Sequence, residues 1–197
     1  MAARLAFYSD GDAGVLAPRG WHCVGISGSS GAALIVTPER RSATDVLHRE
    51  HQYRGPGVQI VYHFGGTSGR FAVAKTIARV FPDHMSFARR VADNAALDGI
   101  EFALPSGPYP DDVLRRVSAR EVEFATPAGR TGLGTEDSMF AADMPISGIV
   151  TIEPEEDMNV LQLTHKLAPE DADLAPEIAR NFRQWGGRAQ APNERSR

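Results

Sequence analysis

VQIVYHFGGTSGRFAVAKTIARVF, residues 58–81, contains the patterns that decide the fold. Val58, Ile60 and Tyr62 alternate with other side chains, and this alternation predicts a β-strand with one apolar face. A loop with three glycines follows at 65–69. Beyond the loop, apolar residues recur at the spacing of one helix face. The stretch therefore predicts a strand, a glycine-rich loop and a helix in direct succession.

Patterns of both kinds extend to either side of this stretch. Strand patterns occupy residues 4–9, 20–27, 33–37, 100–104, 113–126, 146–153 and 158–167. Further helix patterns occupy residues 43–51, 83–96 and 175–185. Because strands come first, a pair of helices follows and strands return before a last helix, we predict an α+β fold with a mainly antiparallel sheet.

The same order of elements predicts one domain. No internal repeat or low-complexity linker divides residues 2–186, so we assign them to a single α+β domain with a helical pair and a C-terminal helix. Residues 187–197 contain no large apolar side chain to anchor them, and we expect a disordered tail there.

Composition and charge exclude several classes of protein. Hydrophobic residues make up 42% and charged residues 23% of the 197 residues, which excludes a fully disordered chain. The apolar runs are too short for a transmembrane helix, so we predict no membrane partner. A net charge of −4 gives no general electrostatic reason to expect nucleic acid. The first residues lack the long apolar stretch of a signal peptide, which fits a cytoplasmic protein or an exported domain without its leader. The oligomeric state stays open.

The sequence predicts neither a metal nor a cofactor. Cys23 is the only cysteine, which excludes an intramolecular disulfide and a cysteine-based zinc site within one chain. His48 and His51 stand three residues apart, but their spacing with Glu50 matches neither zinc-binding helix motif. The loop at 65–69 lacks the Gly-Lys-Ser/Thr ending of a P-loop and is not a dinucleotide fingerprint.

The glycine-rich loop and the residue after it suit an anionic ligand. Gly66, Thr67 and Gly69 allow the backbone to turn with its N–H groups outward, at the positive N-terminal end of a helix. Arg70 adds a guanidinium with several hydrogen-bond donors. The pattern predicts a non-catalytic module that binds a small anionic molecule, or an anionic partner, at residues 65–70.

The same loop also places a serine between a strand and a helix, which is the position of a nucleophile elbow. Ser68 departs from the G-x-S-x-G pattern because the second glycine comes one residue early. His165 or His22 would serve as base. His165, with Asp143 or Glu153 to orient it, would keep the order serine, acid, histidine. This arrangement predicts a small hydrolase of an ester or related acyl bond, which is our first hypothesis from the sequence, with the anion-binding module as the alternative. The structural alternative is that Thr67 or Ser68 caps the helix.

A second pair of serines stands in a predicted hairpin turn. Ser29 and Ser30 lie between two glycines but fit no G-x-S-x-G frame, so the turn is the favoured interpretation. If a catalytic site formed there, His22 on the preceding strand would be its base.

Three segments, at residues 14–23, 67–71 and 132–135, resemble segments of a group of uncharacterised bacterial proteins. The resemblance covers most of the chain up to the last predicted helix. It implies one compact domain, and it implies no activity, ligand or catalytic residue.

Overall fold

The computed structural model describes residues 2–11, 13–47, 53–136, 143–153 and 157–185. These residues form nine strands: β1 (Leu5–Ser9), β2 (Gly14–Pro18), β3 (His22–Gly28), β4 (Gly31–Thr37), β5 (Gly57–His63), β6 (Val113–Ser118), β7 (Glu121–Thr126), β8 (Ile146–Glu153) and β9 (Asn159–Lys166). They also form five α-helices: α1 (Ala43–Leu47), α2 (Arg70–Val80), α3 (Met85–Leu97), α4 (Leu133–Glu136) and α5 (Ala175–Trp185).

Seven of the strands form one antiparallel sheet. Its order is β3-β4-β5-β9-β8-β7-β6, while β1 and β2 pair separately as a two-stranded ribbon. Strands β3 to β5 are consecutive in the chain, and so are β6 to β9, so each half of the sheet is a meander. The two halves join where β5 pairs with β9, for example through Ile60 and Leu163. We call this pairing the seam.

Each face of the sheet buries a different layer. Helices α2 and α3 pack on one face, against a core that includes Phe124, Val150 and Val160. The ribbon β1-β2 and helix α5 pack on the other face, where Ile60 and Leu163 belong to the core. Side chains alternate between faces along each strand, and this alternation sends the apolar residues of β9 to both layers.

The helical pair is antiparallel because a short turn separates its members. Pro82 follows α2, and the 3-10 turn Pro82–His84 reverses the chain before α3 begins. The two helices contain 11 and 13 residues, so the C-terminal end of α3 returns to the N-terminal end of α2. This return brings Asp98, directly after α3, to the side of the loop at 65–70.

The predicted α+β class with an antiparallel sheet, a helical pair and a C-terminal helix is confirmed. The predicted strand at 113–126 is instead two strands, β6 and β7, with a turn between them. Residues 100–104 form no strand, because Phe102 packs its ring 4.9 Å from that of Phe71 beside the helical pair. The strand β2 was not predicted. The expected tail at 187–197 and the motif at 48–51 lie outside the described residues.

Candidate functional site

The loop at 65–70 is pinned to the start of β9 at Gly65. The N–H of Gly65 donates to Oδ1 of Asn159 at 3.0 Å. A Cβ placed on Gly65 would lie 1.7 Å from the backbone oxygen of Asp157 and 1.8 Å from that of Met158. Only glycine fits so close to another backbone, so the loop and this hairpin hold each other in place.

The last residues of the loop form a compact entry into α2. The hydroxyl of Thr67 donates to the carbonyl of Phe64 at 3.0 Å and accepts from the N–H of Gly69 at 3.3 Å. The N-cap residue of α2 is Gly69, and no side chain hydrogen-bonds to cap it. Neither Thr67 nor Ser68 is therefore the cap of this helix.

An open cleft of about 340 Å³ lies beside the loop. It is bounded by the loop, by the C-terminal end of α3 and by the hairpin residues that precede β9. Its lining residues are Gly65, Gly66, Arg70, Asn94, Leu97, Asp98 and Asp157. We call this space the cleft. Its volume is at the small end of the range for ligand pockets, so it suits a small molecule.

Arg70 supplies the positive charge of the cleft. Its guanidinium stacks on the Phe71 ring at 4.7 Å, and its Nη1 donates to the carbonyl of Thr67 at 3.3 Å. No carboxylate among the described residues forms an ion pair with Arg70. The guanidinium is thus held by a ring and one backbone bond, and most of its donors remain available to a ligand.

Two carboxylates supply negative charge to the same cleft. The carboxylate of Asp157 lies over Gly66, where an added Cβ would come within 2.8 Å of Oδ2. Asp98 is the C-cap of α3, and its N–H donates to the carbonyl of Asn94 at 3.0 Å. The cleft therefore contains one cationic and two anionic side chains.

Ser68 is exposed at the edge of this region. Its Oγ lies 3.2 Å from the Oγ of Ser29, in the turn between β3 and β4. A second serine hydroxyl is not a general base at neutral pH, so this contact does not activate Ser68. His22 begins β3, whereas Ser29 follows its end, so the strand separates this histidine from the serines.

The sheet places Ser68 far from His165. On β9, His165 pairs with Val58, whereas the loop leaves β5 after His63 at the opposite end of the same strand. Five residues of strand rise about 16 Å, and neither side chain spans that distance. Asp143 lies at the end of the sheet where His165 lies, because it accepts from Nζ of Lys166 at 2.5 Å. The structure thus brings Asp143 and His165 to one end and Ser68 to the other.

The protein environment perturbs the ionisation of His165 and Asp143. Burial of the His165 imidazole lowers its pKa from 6.5 to about 4, so the ring is neutral at pH 7. Burial alone would raise the pKa of Asp143, but the hydrogen bond from Lys166 and its charge outweigh this effect and lower it.

Sequence analysis missed Lys166, one of two lysines in the chain. Its side chain is fully buried, while that of Asp143 is 33% exposed. A lysine is almost never so deeply buried without a charged partner. The alternation along β9, which sends Gln162, Thr164 and Lys166 to one face, was the available signal.

The cleft residues outside the loop were also missed. Asn94, Leu97 and Asp98 lie about 25 residues after the loop, and no local motif joins them to it. The available signal was the pair of helices of nearly equal length. In an antiparallel pair of this kind, the C-terminal end of the second helix lies beside the N-terminal end of the first. For Asp157, the local acidic run indicates only a solvated hairpin tip.

Comparison with known proteins assigns no family to this chain. No protein-family model matches the sequence, and no curated protein matches it. In the described part of the chain, no helix is long and apolar enough to cross a membrane. Among the same residues, no group of three or more His, Cys, Asp or Glu side chains could hold a metal ion.

Proposed function

We propose that this protein binds an anionic small molecule in the cleft, with Arg70 as the residue that holds the anion. The observation that carries the proposal is the position of Arg70. It lines the cleft, and within the described residues no carboxylate pairs with it. A guanidinium offers a planar fork of donors that suits carboxylate and phosphate groups. Stacking on Phe71 restrains this fork before a ligand arrives, which lowers the entropic cost of binding.

The backbone of the loop supports the same function. Gly66 lines the cleft, and its N–H has no backbone acceptor among the described residues. Gly66 and Arg70 thus bring a backbone donor and a side-chain donor to the same cleft. Backbone donors near the start of a helix favour negative charge.

Hydrolysis through Ser68 ranks second and stays a prediction. The distance along β5 and β9 between His165 and the loop is the reason for this rank. A fluorophosphonate probe, followed by peptide mapping, tests it directly. We expect no more labelling than in the Ser68→Ala variant. Stoichiometric labelling at Ser68 would instead support a catalytic serine and would rank hydrolysis above anion binding.

The binding function is tested by titrating the ¹⁵N-labelled protein with phosphate, sulfate and acetate in separate NMR experiments. We expect saturable changes at the Gly66 amide, and we expect Arg70→Gln to abolish them. Arg89→Gln is the matched control, because Arg89 is exposed on α3 and does not line the cleft. Unchanged binding in the Arg70→Gln variant would overturn the proposal.

A further inference from the structure

We infer that the ligand of the cleft is a small zwitterion, with its anionic group at Arg70 and an ammonium group between Asp98 and Asp157. This inference rests on the proposed anion site and specifies the class of molecule that occupies it. The chemical class is an α-amino acid or an amino-carboxylate of similar size.

The end of α3 attracts a cation. A helix C-terminus carries partial negative charge, which destabilises a nearby carboxylate and stabilises a nearby cation. Asp98 nevertheless occupies the C-cap of α3, and the last turn contains no basic residue. No described residue forms an ion pair with Asp98. The negative potential at this side of the cleft is therefore left for a ligand to neutralise.

Asp157 adds a second carboxylate without neutralising Arg70. Both side chains line the cleft, yet they form no ion pair with each other. The rigid contact of Gly65 with the backbone at 157–158 keeps Asp157 in place beside Gly66. Arg70 and Asp157 thus line the same cleft without neutralising each other.

This distribution of charge favours a ligand that carries both signs over a ligand of a single sign. A simple anion at Arg70 is repelled by two carboxylates, and a simple cation beside them is repelled by Arg70. A molecule with both groups gains from each side at once. Leu97, which is 85% exposed, gives the apolar part of such a molecule a surface to contact. The cleft of about 340 Å³ limits the molecule to the size of a single amino acid or a little more.

The inference is tested by calorimetric titration of the full chain with each of the standard amino acids. The best binder is then compared with its N-acetyl derivative, which keeps only the carboxylate, and with its amide, which keeps only the ammonium. We expect each derivative to bind at least about ten-fold more weakly than the parent.

The outcomes separate this inference from the proposed anion site. If the N-acetyl derivative binds as well as the parent, or if only phosphate or acetate binds, the zwitterion is overturned and the anion site stands. If the amide alone retains the parent's affinity, or if no amino acid and no simple anion binds, both fail.

Matched variants locate the ammonium group. We expect Asp98→Asn to weaken binding of the best amino acid about ten-fold without weakening binding of its N-acetyl derivative, because the carboxylate that is removed repels an anion. Asp93→Asn is the control, since Asp93 is exposed on α3 outside the cleft. Equal losses for the amino acid and its N-acetyl derivative would contradict a role for Asp98 in binding the ammonium.

Discussion

Charged side chains have opposite environments at the two ends of the seven-stranded sheet. At one end, which we call the loop end, Arg70 and Asp157 line an open cleft and do not pair with each other. At the other, which we call the lysine end, Lys166 is fully buried and bound to Asp143. Both ends contain a basic side chain and a carboxylate. The difference is that the two groups form an ion pair at the lysine end and do not pair with each other at the loop end.

This difference separates a structural use of charge from the binding use that we propose. A buried cation needs its carboxylate for stability, because an unpaired charge inside the protein is costly. Charges at an open cleft are hydrated and contribute little to folding, so they are available to a ligand. Substitutions at the lysine end should therefore lower the free energy of unfolding. Substitutions of the charged residues at the loop end should instead lower the affinity for a ligand.

We expect the largest loss of stability at the backbone contact of Gly65. This contact lies at the loop end but, unlike the charged residues there, it supports the fold. Gly65→Ala should lower the free energy of unfolding by about 3 kcal/mol, because the new Cβ meets two backbone oxygens that cannot move independently. Gly66→Ala is the matched control. Its Cβ meets only the Asp157 carboxylate, so we expect a loss below about 1 kcal/mol. Urea denaturation of both variants measures the difference, and equal losses would contradict the close contact.

The next effect tests the charge pair of the lysine end. Asp143→Ala should lower the free energy of unfolding by about 2–3 kcal/mol, because it leaves the buried Lys166 ammonium without this carboxylate. The value lies below that of a fully enclosed pair because Asp143 is 33% exposed. Asp157→Ala at the loop end is the comparison, with a loss below about 0.5 kcal/mol. A larger loss for Asp157→Ala would reverse the contrast between the ends.

A third effect makes the lysine end sensitive to acid. The folded protein keeps His165 neutral down to about pH 4, whereas the unfolded chain binds this proton near pH 6.5. Protons therefore favour the unfolded state, and stability falls as the pH is lowered from 6.5 to 4. Between pH 7 and 4.5 the loss due to His165 is about 2 kcal/mol.

Denaturation of a variant at both pH values measures the contribution of His165. His165→Leu should remove this part of the acid sensitivity, because leucine does not titrate. His22→Gln is the control for the loss of a histidine at an exposed position, since His22 is exposed at the start of β3. An unaltered pH dependence in His165→Leu would show that the imidazole is not shielded from water.

The smallest effect on stability belongs to Arg70. Arg70→Gln should change the free energy of unfolding by less than about 1 kcal/mol, because its one backbone bond is long, its stacking on Phe71 is a partly exposed contact and it has no ion pair among the described residues. Thermal unfolding without ligand measures this. A loss above about 2 kcal/mol would assign Arg70 to the structural charges and weaken its role in the cleft.

The main elements could be predicted because their patterns are local. The strand from Val58, the helix after Gly69 and the helix at Ala175–Trp185 each contain enough periodic apolar residues to identify them. The strand prediction around Phe102 was wrong because the apolar residues of that segment serve the helical pair and not a sheet. The periodicity of apolar residues indicates which residues are buried, but it does not indicate which element they pack against.

Only the part of the candidate site that is continuous in sequence could be predicted. The loop and Arg70 form a recognisable strand–loop–helix motif, so the sequence identified them. Asp98 and Asp157 reach the cleft through the reversal at Pro82 and through the pairing of β5 with β9. The pairing of Ser68 with His165 was hypothesised from the order of residues along the chain. This order does not show at which end of the sheet each side chain lies.

The seam between the two halves of the sheet has a consequence for the kinetics of folding. Each meander pairs neighbours in the chain, whereas the seam pairs residues about 100 positions apart and so closes a long loop at a high entropic cost. Gly65 belongs to the strand–loop unit on one side of the seam, and Asp157 belongs to the hairpin on the other. The cleft therefore exists only after the slow pairing is complete. A chain halted before that step would have most of its local structure but would lack the cleft, and with it the ligand binding that we propose.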